Sequence, residues 1–596
     1  MIKIKKKRKI AGNLIWSLKE LYKFDKAYMF LFLLRAIISG MLPVISLVLI
    51  QQIINELQYQ TGSLEHIVRK LFLMFLIQLI CEITLYYVQL RLENLELKFS
   101  AYFQAKILKK VEILDSKDFE NTQTYNLINR TQYDGNAGIL GTIKILFLLT
   151  SLIISTISYM VIIINYNVLI FALMVALPVI KYFFEKKYNL EEYRLDIKNT
   201  ETDRQTSYIT FLLTNSENFK EIKSYNLFGY FIKKYEKIKE LFNQDYIDLN
   251  KKRTKTFSAI SIIDKGLEGL VMLFILIQTF SGIIPIGDFI LYNNSVDSLK
   301  ENIMAIFSQI SYIYKNSAMI EQIRLFFEIE PENLHKDGVK IGEIYKIELR
   351  SVSYRYQGKE EYALKNINVT FNKGDFAVLM GYNGSGKSTL IKIISGIYSD
   401  YEGEIFVNEI NLKNVELAKY RERVSVMFQN YIKYESTISN NVRYGNLKES
   451  IPAIDRMLDK VVLPEFKNHM DQTLGYQFTE GTQISIGQWQ KLALGRTLLK
   501  PADIYIYDEP NASLDIVSER SVLDMLYDEM RNKITILIMH RFNCMVERAN
   551  RIIVLEHGKI RESGTHEELL KNRDLYFKLF NEQKEVMVSD KWHGFE

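Results

Sequence analysis

Cysteine is all but missing from this chain: Cys81 and Cys544 are the only two among 596 residues. The first lies in an apolar run and the second in the charged half, so no disulfide framework is expected and the charged half suits a reducing cytosol. A small-residue cleavage site is also missing after the first long apolar stretch, which begins near Tyr28, and a cleaved signal peptide is therefore not expected. Internal repeats and low-complexity tracts are absent. Lysine and arginine number 76 in all, yet none falls in 51–68, 165–167 or 281–287. Against these absences stands a distribution: hydrophobic residues make up 48% and charged residues 24%, with the apolar ones crowded into the first half. The chain is too long for one hydrophobic core, so a membrane-embedded part joined to a soluble part is the simplest division.

A membrane-crossing helix needs about 20 mostly apolar residues. Six stretches are expected to qualify: 28–50, 69–92, 140–164, 167–186, 257–280 and 287–311. Asn165, Tyr166 and Asn167 form a tight turn between the third and fourth, and Gly282 and Pro285 separate the last two. The segments 1–27, 93–139 and 187–256 are rich in Lys and Arg, which places them, and both termini, on the cytoplasmic side. The run Lys3, Lys5, Lys6, Lys7, Arg8 and Lys9 could suit nucleic acid. Beside a membrane segment it reads instead as a flank near anionic lipid, so no nucleic-acid partner is expected. The long cytoplasmic segments are helical in pattern and should extend the membrane helices into the cytosol. From Tyr345 onward, short β-rich runs (KIELRSVSYRY, NINVTF, FAVLM, IYIYDE, ITILIM, RIIVLE) alternate with helical ones, the pattern of an α/β domain with a largely parallel sheet. The expected organisation is a transmembrane domain over 1–320, a linker over 321–344, an α/β domain over 345–585 and a tail over 586–596.

Gly381-Tyr-Asn383-Gly384-Ser385-Gly386-Lys387-Ser388-Thr389 matches GxxxxGK[ST], between an apolar strand and an apolar helix. Glycines let backbone amides turn inward around phosphate, and the helix N-terminus adds partial positive charge. Lys387 is placed to reach the terminal phosphates of ATP, and the Ser388 hydroxyl to bind Mg2+. Downstream, the strand IYIYDE ends in Asp508 and Glu509, beside the phosphate loop at the sheet's C-terminal edge. Asp508 then holds Mg2+ and Glu509 polarises the attacking water; the plainer alternative is an acidic strand end that caps a helix.

The order of motifs extends further: Gln429 after VSVMFQ, then Ile484-Ser485-Ile486-Gly487-Gln488, the carboxylate pair, Asn511-Ala-Ser-Leu-Asp515, and His540 after ITILIM. This order resembles the ATP-binding-cassette (ABC) ATPases over about 340–585, and the helical region before it looks like the exporter type of that superfamily. The resemblance implies an all-α six-helix transmembrane domain followed by an α/β P-loop ATPase domain. It implies that Tyr356 stacks on adenine, although an aromatic in a strand is often plain packing. It further implies that Gln429 senses Mg2+, that Ser485 and Gly487 bind the γ-phosphate held by the opposite subunit, with Gln488 beside them, that Asp515 lies at the dimer contact, and that His540 touches the γ-phosphate. Ile486 departs from the commonest pattern, which has glycine there. The run Gln488-Trp489-Gln490-Lys491 and the upstream FTEGTQIS resemble bacterial exporters of lanthipeptides and similar ribosomal peptides.

Because Ser485 serves a partner's nucleotide, two chains are needed: a homodimer, or a pair with a related half-transporter. Among ionisable residues in the apolar stretches, Arg35, Glu82, Lys144, Asp264, Glu268 and Asp297 either line a substrate pathway or sit at helix ends. The stretches around Phe119-Glu120-Asn121 and Glu221–Tyr225 look like the coupling helices of exporters. Only about 27 residues precede the first span, so no N-terminal peptidase domain is expected and a separate enzyme would process a leader-bearing peptide. The cargo is read as a lanthipeptide-like or bacteriocin-like peptide, with peptide-modifying enzymes as possible partners. A lipid or amphipathic drug is the alternative cargo, and an ATP-gated channel or sensor the alternative of another class. The site of action is a bacterial cytoplasmic membrane.

Overall fold

Hydropathy divides the chain, and the computed structural model, which describes residues 2–335, 337–539 and 544–589, divides it in nearly the same place into two compact units. The first comprises Met1–Glu112 and Gln123–Ile329; the second comprises Ile113–Thr122 and Glu330–Glu596.

The first unit is all helical: α1 (Ile2–Phe24), α2 (Lys26–Tyr59) and α3 (Leu64–Glu112) are followed, after the short α4 (Ser116–Glu120), by α5 (Thr122–Tyr166), α6 (Val168–Lys198), α7 (Thr200–Thr214), α8 (Ser216–Ser224), α9 (Phe228–Phe280) and α10 (Ile286–Glu328). Asn167 makes the α5–α6 turn, its side-chain oxygen accepting from the amides of Leu169 (2.9 Å) and Ile170 (3.3 Å). These are two of the amide groups that a helix start leaves without an internal partner. Val44, Leu47, Tyr159, Ile163, Ile170, Met174, Val271, Ile275, Leu291, Val296 and Leu299 bring α2, α5, α6, α9 and α10 onto one apolar core. Elsewhere the same helices carry large apolar side chains outward, such as Phe30 on α2 and Phe183 on α6, a surface suited to lipid.

Among the described residues, four helical segments are long and apolar enough to cross a membrane: α2, α3, Gly135–Tyr166 of α5 and Val168–Asp196 of α6. The expected fifth and sixth spans are not among them, although α9 and α10 are both long. Asp264, Lys265 and Glu268 fall within 257–280, and Asp297, Lys300 and Glu301 within 287–311, and these charges lower the mean hydropathy. The expected boundaries also shift. Helix α10 continues to Glu328, so residues 321–328 are not linker, and 113–122 cluster with the second unit rather than the first. Residues 586–589 of the expected tail complete a helix, Leu575–Ser589.

In the second unit, β1 (Lys346–Tyr354), β2 (Leu364–Asn372), β3 (Phe376–Met380), α11 (Lys387–Ile394), β4 (Glu402–Val407), β5 (Ile410–Asn411), α12 (Leu417–Glu422), β6 (Val424–Met427), α13 (Ile438–Arg443), α14 (Ile451–Lys460), α15 (Ile486–Leu499), β7 (Ile504–Asp508), α16 (Ile516–Glu529), β8 (Ile534–Ile538), β9 (Arg551–Glu556) and β10 (Lys559–Gly564) follow one another. The central sheet has the order β10-β9-β3-β8-β7-β6, parallel throughout except at β10. The runs KIELRSVSYRY and NINVTF do not join it. They pair antiparallel in a second sheet, β2-β1-β4-β5. Strands β3, β7 and β8 are buried along their whole length, as expected for parallel strands covered on both faces.

Candidate ATPase site

Strand β3 runs straight into the glycine loop, and the backbone there explains the glycines. Gly381, Gly384 and Gly386 have φ of +138°, +78° and +106°, a region that L side chains avoid. At Gly381 a Cβ would strike the Leu555 carbonyl, and at Gly386 the Ala363 carbonyl, whereas Gly384 faces open space. Gly386 is the N-cap of α11, so the loop feeds directly into a helix start. Within the cradle the Ser385 hydroxyl is buried without a hydrogen-bond partner, and Lys387, only 5% exposed, donates to the carbonyls of Gly381 (2.8 Å) and Tyr382 (3.0 Å). Burial pushes the Lys387 ammonium below its ordinary value, against the opposing pull of Asp508 and Glu509. A loop of positive-φ glycines, an orphaned hydroxyl and a lysine held by neutral carbonyls fits a bound polyphosphate.

Parallel pairing of β7 with β6 and β8 sets the carboxylates at the same sheet edge. Asp508 is buried, and its carboxyl is pushed up to about 6, first by desolvation and then by the neighbouring Glu509 charge. The Gln429 backbone amide and the Ser388 hydroxyl donate to it and pull the other way. The Asp508 carboxylate and the Ser388 hydroxyl are hard oxygen ligands that fit a magnesium ion. Glu509 adopts φ +52°, a strained conformation for a residue with a Cβ. The Gln429 side-chain amide donates to its Oε1 at 3.3 Å. The structure thus brings together Lys387, Ser388, Gln429, Asp508 and Glu509.

Tyr356 is half-buried rather than open. Its hydroxyl lies 3.0 Å from Thr389 Oγ1 in the first turn of α11, and its ring meets Tyr354 edge-on at 5.2 Å. Both the adenine reading and the packing reading therefore have a contact to point to. Ser485 is the N-cap of α15: its hydroxyl accepts from the Gln488 amide (3.2 Å) while Gln488 Oε1 accepts from the Ser485 amide (2.9 Å), a complete capping box. Ile486, in the usual glycine position, is 60% exposed, so its side chain costs no packing. At Gly487 a Cβ would stand 3.0 Å from the Ser513 carbonyl, which explains why glycine is kept there. Asp515 caps α16, accepting from the Ser518 amide at 2.9 Å, and that bond holds its carboxyl below the usual range. His540 lies outside the described residues.

Gln490 was singled out only as part of a run. Its buried side chain donates to the Glu509 carbonyl (3.0 Å) and accepts from the Ser513 amide (2.9 Å). It ties α15 to two points of the segment that joins β7 to α16. The one signal in the sequence is a glutamine on an otherwise apolar helix face.

In the first unit the pathway candidates are largely spoken for. Lys300, missed in the sequence, is 3% exposed and pairs with Asp264 (2.9 Å) and Glu268 (2.7 Å); Lys265 also reaches Glu268 at 2.6 Å. Lys144 pairs with Glu96 at 2.7 Å. Arg35 and Asp297 are half-buried, and Glu82 is exposed on α3.

Comparison with known proteins agrees with this geometry. Residues 364–512 match the family model described as ABC transporter. The subtilin transport ATP-binding protein of Bacillus subtilis is 32% identical, over 97% of this chain and 95% of its own length. The nisin transport ATP-binding protein of Lactococcus lactis subsp. lactis is 29% identical, over 95% of each. The ATP-dependent lipid A-core flippase of Escherichia coli K12 is 34% identical over 44% of this chain and 45% of its own. A bacterial Atm1-family ABC exporter solved with ATP bound shares the fold, with a TM-score of 0.73 at 17% identity over 94% of this chain and 98% of that one. The chain belongs to the ABC transporters: it is a multi-pass membrane protein whose second unit binds and hydrolyses ATP to drive transport.

Proposed function

We propose that this chain exports a ribosomally made peptide, of the lanthipeptide or bacteriocin-like kind, across the cytoplasmic membrane of a bacterium, as a homodimer working by alternating access. The observation that carries the cargo reading is end-to-end similarity to the subtilin and nisin transport proteins; the flippase similarity spans less than half the chain.

In this reading six helices cross the membrane, with α9 and α10 as the fifth and sixth. Their charges are admissible because Lys300 and Lys265 together neutralise Asp264 and Glu268. Both termini and the ATPase unit lie in the cytoplasm. The remaining ionisable candidates, Arg35, Glu82 and Asp297, face the transport pathway.

Tyr356 stacks on adenine, residues 381–389 enclose the phosphates, and Ser485, Gly487 and Gln488 at the exposed start of α15 close over the nucleotide of a second copy, with Asp515 at the contact. Ser388, Gln429 and Asp508 would hold Mg2+, which supplies charge neutralisation of the phosphates. Glu509, steadied by Gln429 and by Gln490 at its carbonyl, orients the attacking water, and His540 contacts the γ-phosphate. Closure of the two ATPase units draws together the segments around Phe119–Asn121 and Glu221–Tyr225 and opens the cavity outward.

The test is reconstitution of the full chain in lipid vesicles. ATP-dependent uptake and stimulated hydrolysis are expected with a modified precursor peptide, and Glu509→Gln should slow hydrolysis by about 10²-fold while leaving ATP-dependent dimer closure. Stimulation by lipid A or amphipathic drugs, with no response to peptides, would replace the cargo reading. Full-rate hydrolysis by single copies would remove the dimer.

A further inference from the structure

The five residues of α4 are covalently part of the stretch that joins α3 to α5, yet they cluster with the ATPase unit. What holds them there is polar and specific. The Tyr398 hydroxyl donates to Glu120 Oε1 at 2.5 Å and accepts from Lys392 Nζ at 2.9 Å, while Lys392 Nζ lies 3.5 Å from the same carboxylate oxygen. Lys117 stands 3.8 Å from Asp400, and the Asn121 side chain donates to Gln357 at 3.4 Å. Just before α4, the Ile113 carbonyl accepts from the Glu332 amide at 2.7 Å.

Tyr398 is 1% exposed, and its ring is as constrained as its hydroxyl. One face stacks on Tyr354 at 4.9 Å and 6°, and Tyr356 meets it at 6.0 Å and 89°. Tyr356 in turn is bonded to Thr389, two residues after Lys387. Lys392 sits on the same helix as Lys387 and Thr389, one further turn along α11. From the phosphate loop to α4 there is thus an unbroken series of contacts: Thr389, Tyr356, Tyr398, Glu120.

We infer that Tyr398 is a positioning residue that reports nucleotide binding at Tyr356 and the phosphate loop to α4, through its single hydrogen bond to Glu120. The inference rests on the reading of Tyr356 as the adenine contact and of α4 as a coupling segment. A tyrosine is needed because two jobs meet in one side chain. The ring must move with Tyr354 and Tyr356 as a packed aromatic group, and the hydroxyl must grip a carboxylate on a separate stretch of chain. An O–H to carboxylate bond out of water is short and about twice as strong as a neutral one, and here Lys392 polarises it further. Burial and the Glu120 carboxylate both push the Tyr398 phenol up from its ordinary value, so it stays a donor throughout the physiological range. Phenylalanine would keep the ring packing and remove only the grip. Linkage also requires reciprocity: if ATP alters α4 through Tyr398, displacement of α4 must alter ATP affinity.

The test is hydrogen exchange of the amides of residues 115–121 in the full chain, with and without ATP, in a Glu509→Gln background that keeps ATP bound. The expected result is slower exchange with ATP, by about tenfold, and loss of that ATP dependence in Tyr398→Phe at saturating ATP. Glu120→Ala should give the same loss, and the double variant should be no worse than either single one, since both remove the same bond. Retention of ATP-dependent protection in Tyr398→Phe and Glu120→Ala overturns the relay while leaving the transport reading intact. Tyr356→Ala should weaken ATP binding by about tenfold. If ATP binding ignored that change, the adenine reading would fall, and the upper end of the relay with it.

Discussion

Lys300 and Lys387 are the two most deeply buried lysines among the described residues, and their surroundings are opposite. Lys300, on a long helix of the first unit, is clasped by Asp264 and Glu268 at 2.9 and 2.7 Å. Lys387, in the phosphate loop, has no carboxylate of the described residues within ion-pair distance and is bonded to two neutral carbonyls. A buried charge that is fully matched by its own fold has little left to offer a ligand. One that is held by dipoles alone keeps most of its field for an incoming anion. The difference separates a lysine that secures structure from one that awaits substrate.

Breaking the structural side of the comparison should have the largest effect. Lys300→Met leaves Asp264 without a counter-charge and Glu268 with Lys265 alone, and loss of about 3–5 kcal/mol of stability is expected. Thermal unfolding in detergent measures it, and the neutral triple variant with Asp264→Asn and Glu268→Gln should recover most of the loss. An unchanged unfolding temperature in Lys300→Met would mean that the clasp is not needed. Lys387→Ala should instead leave unfolding almost untouched and cut ATP hydrolysis by about 10²–10³-fold, as a steady-state assay would show. A smaller effect is expected of Gln490→Ala. Two backbone groups, the Glu509 carbonyl and the Ser513 amide, lose their partner, at about 1 kcal/mol, and hydrolysis should fall by about tenfold as Glu509 loosens, with ATP affinity retained.

The smallest effect concerns the acids near Lys387. Asp508 has a carboxyl raised to about 6 from an ordinary 3.8, so the folded nucleotide-free protein holds a proton that the unfolded chain releases. That contribution to stability is complete below the unfolded value and disappears as pH rises through about 6. Unfolding temperatures of the nucleotide-free protein from pH 4 to 7 should therefore show a decline that Asp508→Asn flattens.

Much of the ATPase site was legible because its chemistry is local. The loop Gly381–Thr389 needs its glycines at fixed offsets for backbone reasons, and Asp508 and Glu509 end a strand whose apolar run announces it. What could not be read were partnerships across the chain. Lys300 sits within the polar run YNNSVDSLKEN of its stretch, and nothing in the local pattern says that it meets Asp264 and Glu268 from another helix. Gln490 looks like one more residue of a signature run until its bonds to the Glu509 carbonyl and Ser513 amide are seen. The strands of KIELRSVSYRY and NINVTF have the right period for a sheet, but period does not say which sheet.

By itself, then, the sequence determined the division into an apolar helical part and an α/β part, the phosphate loop, the carboxylate pair and the family. Each depends on neighbours within a few residues, where spacing fixes geometry. Tertiary structure alone decided that β1 and β2 leave the parallel sheet, that Lys300 binds two helices together, and that α4 belongs to the ATPase unit through Glu120 and Tyr398. Those outcomes depend on pairs of residues 10 to 278 positions apart, and such contacts are chosen by packing and charge matching in the folded chain.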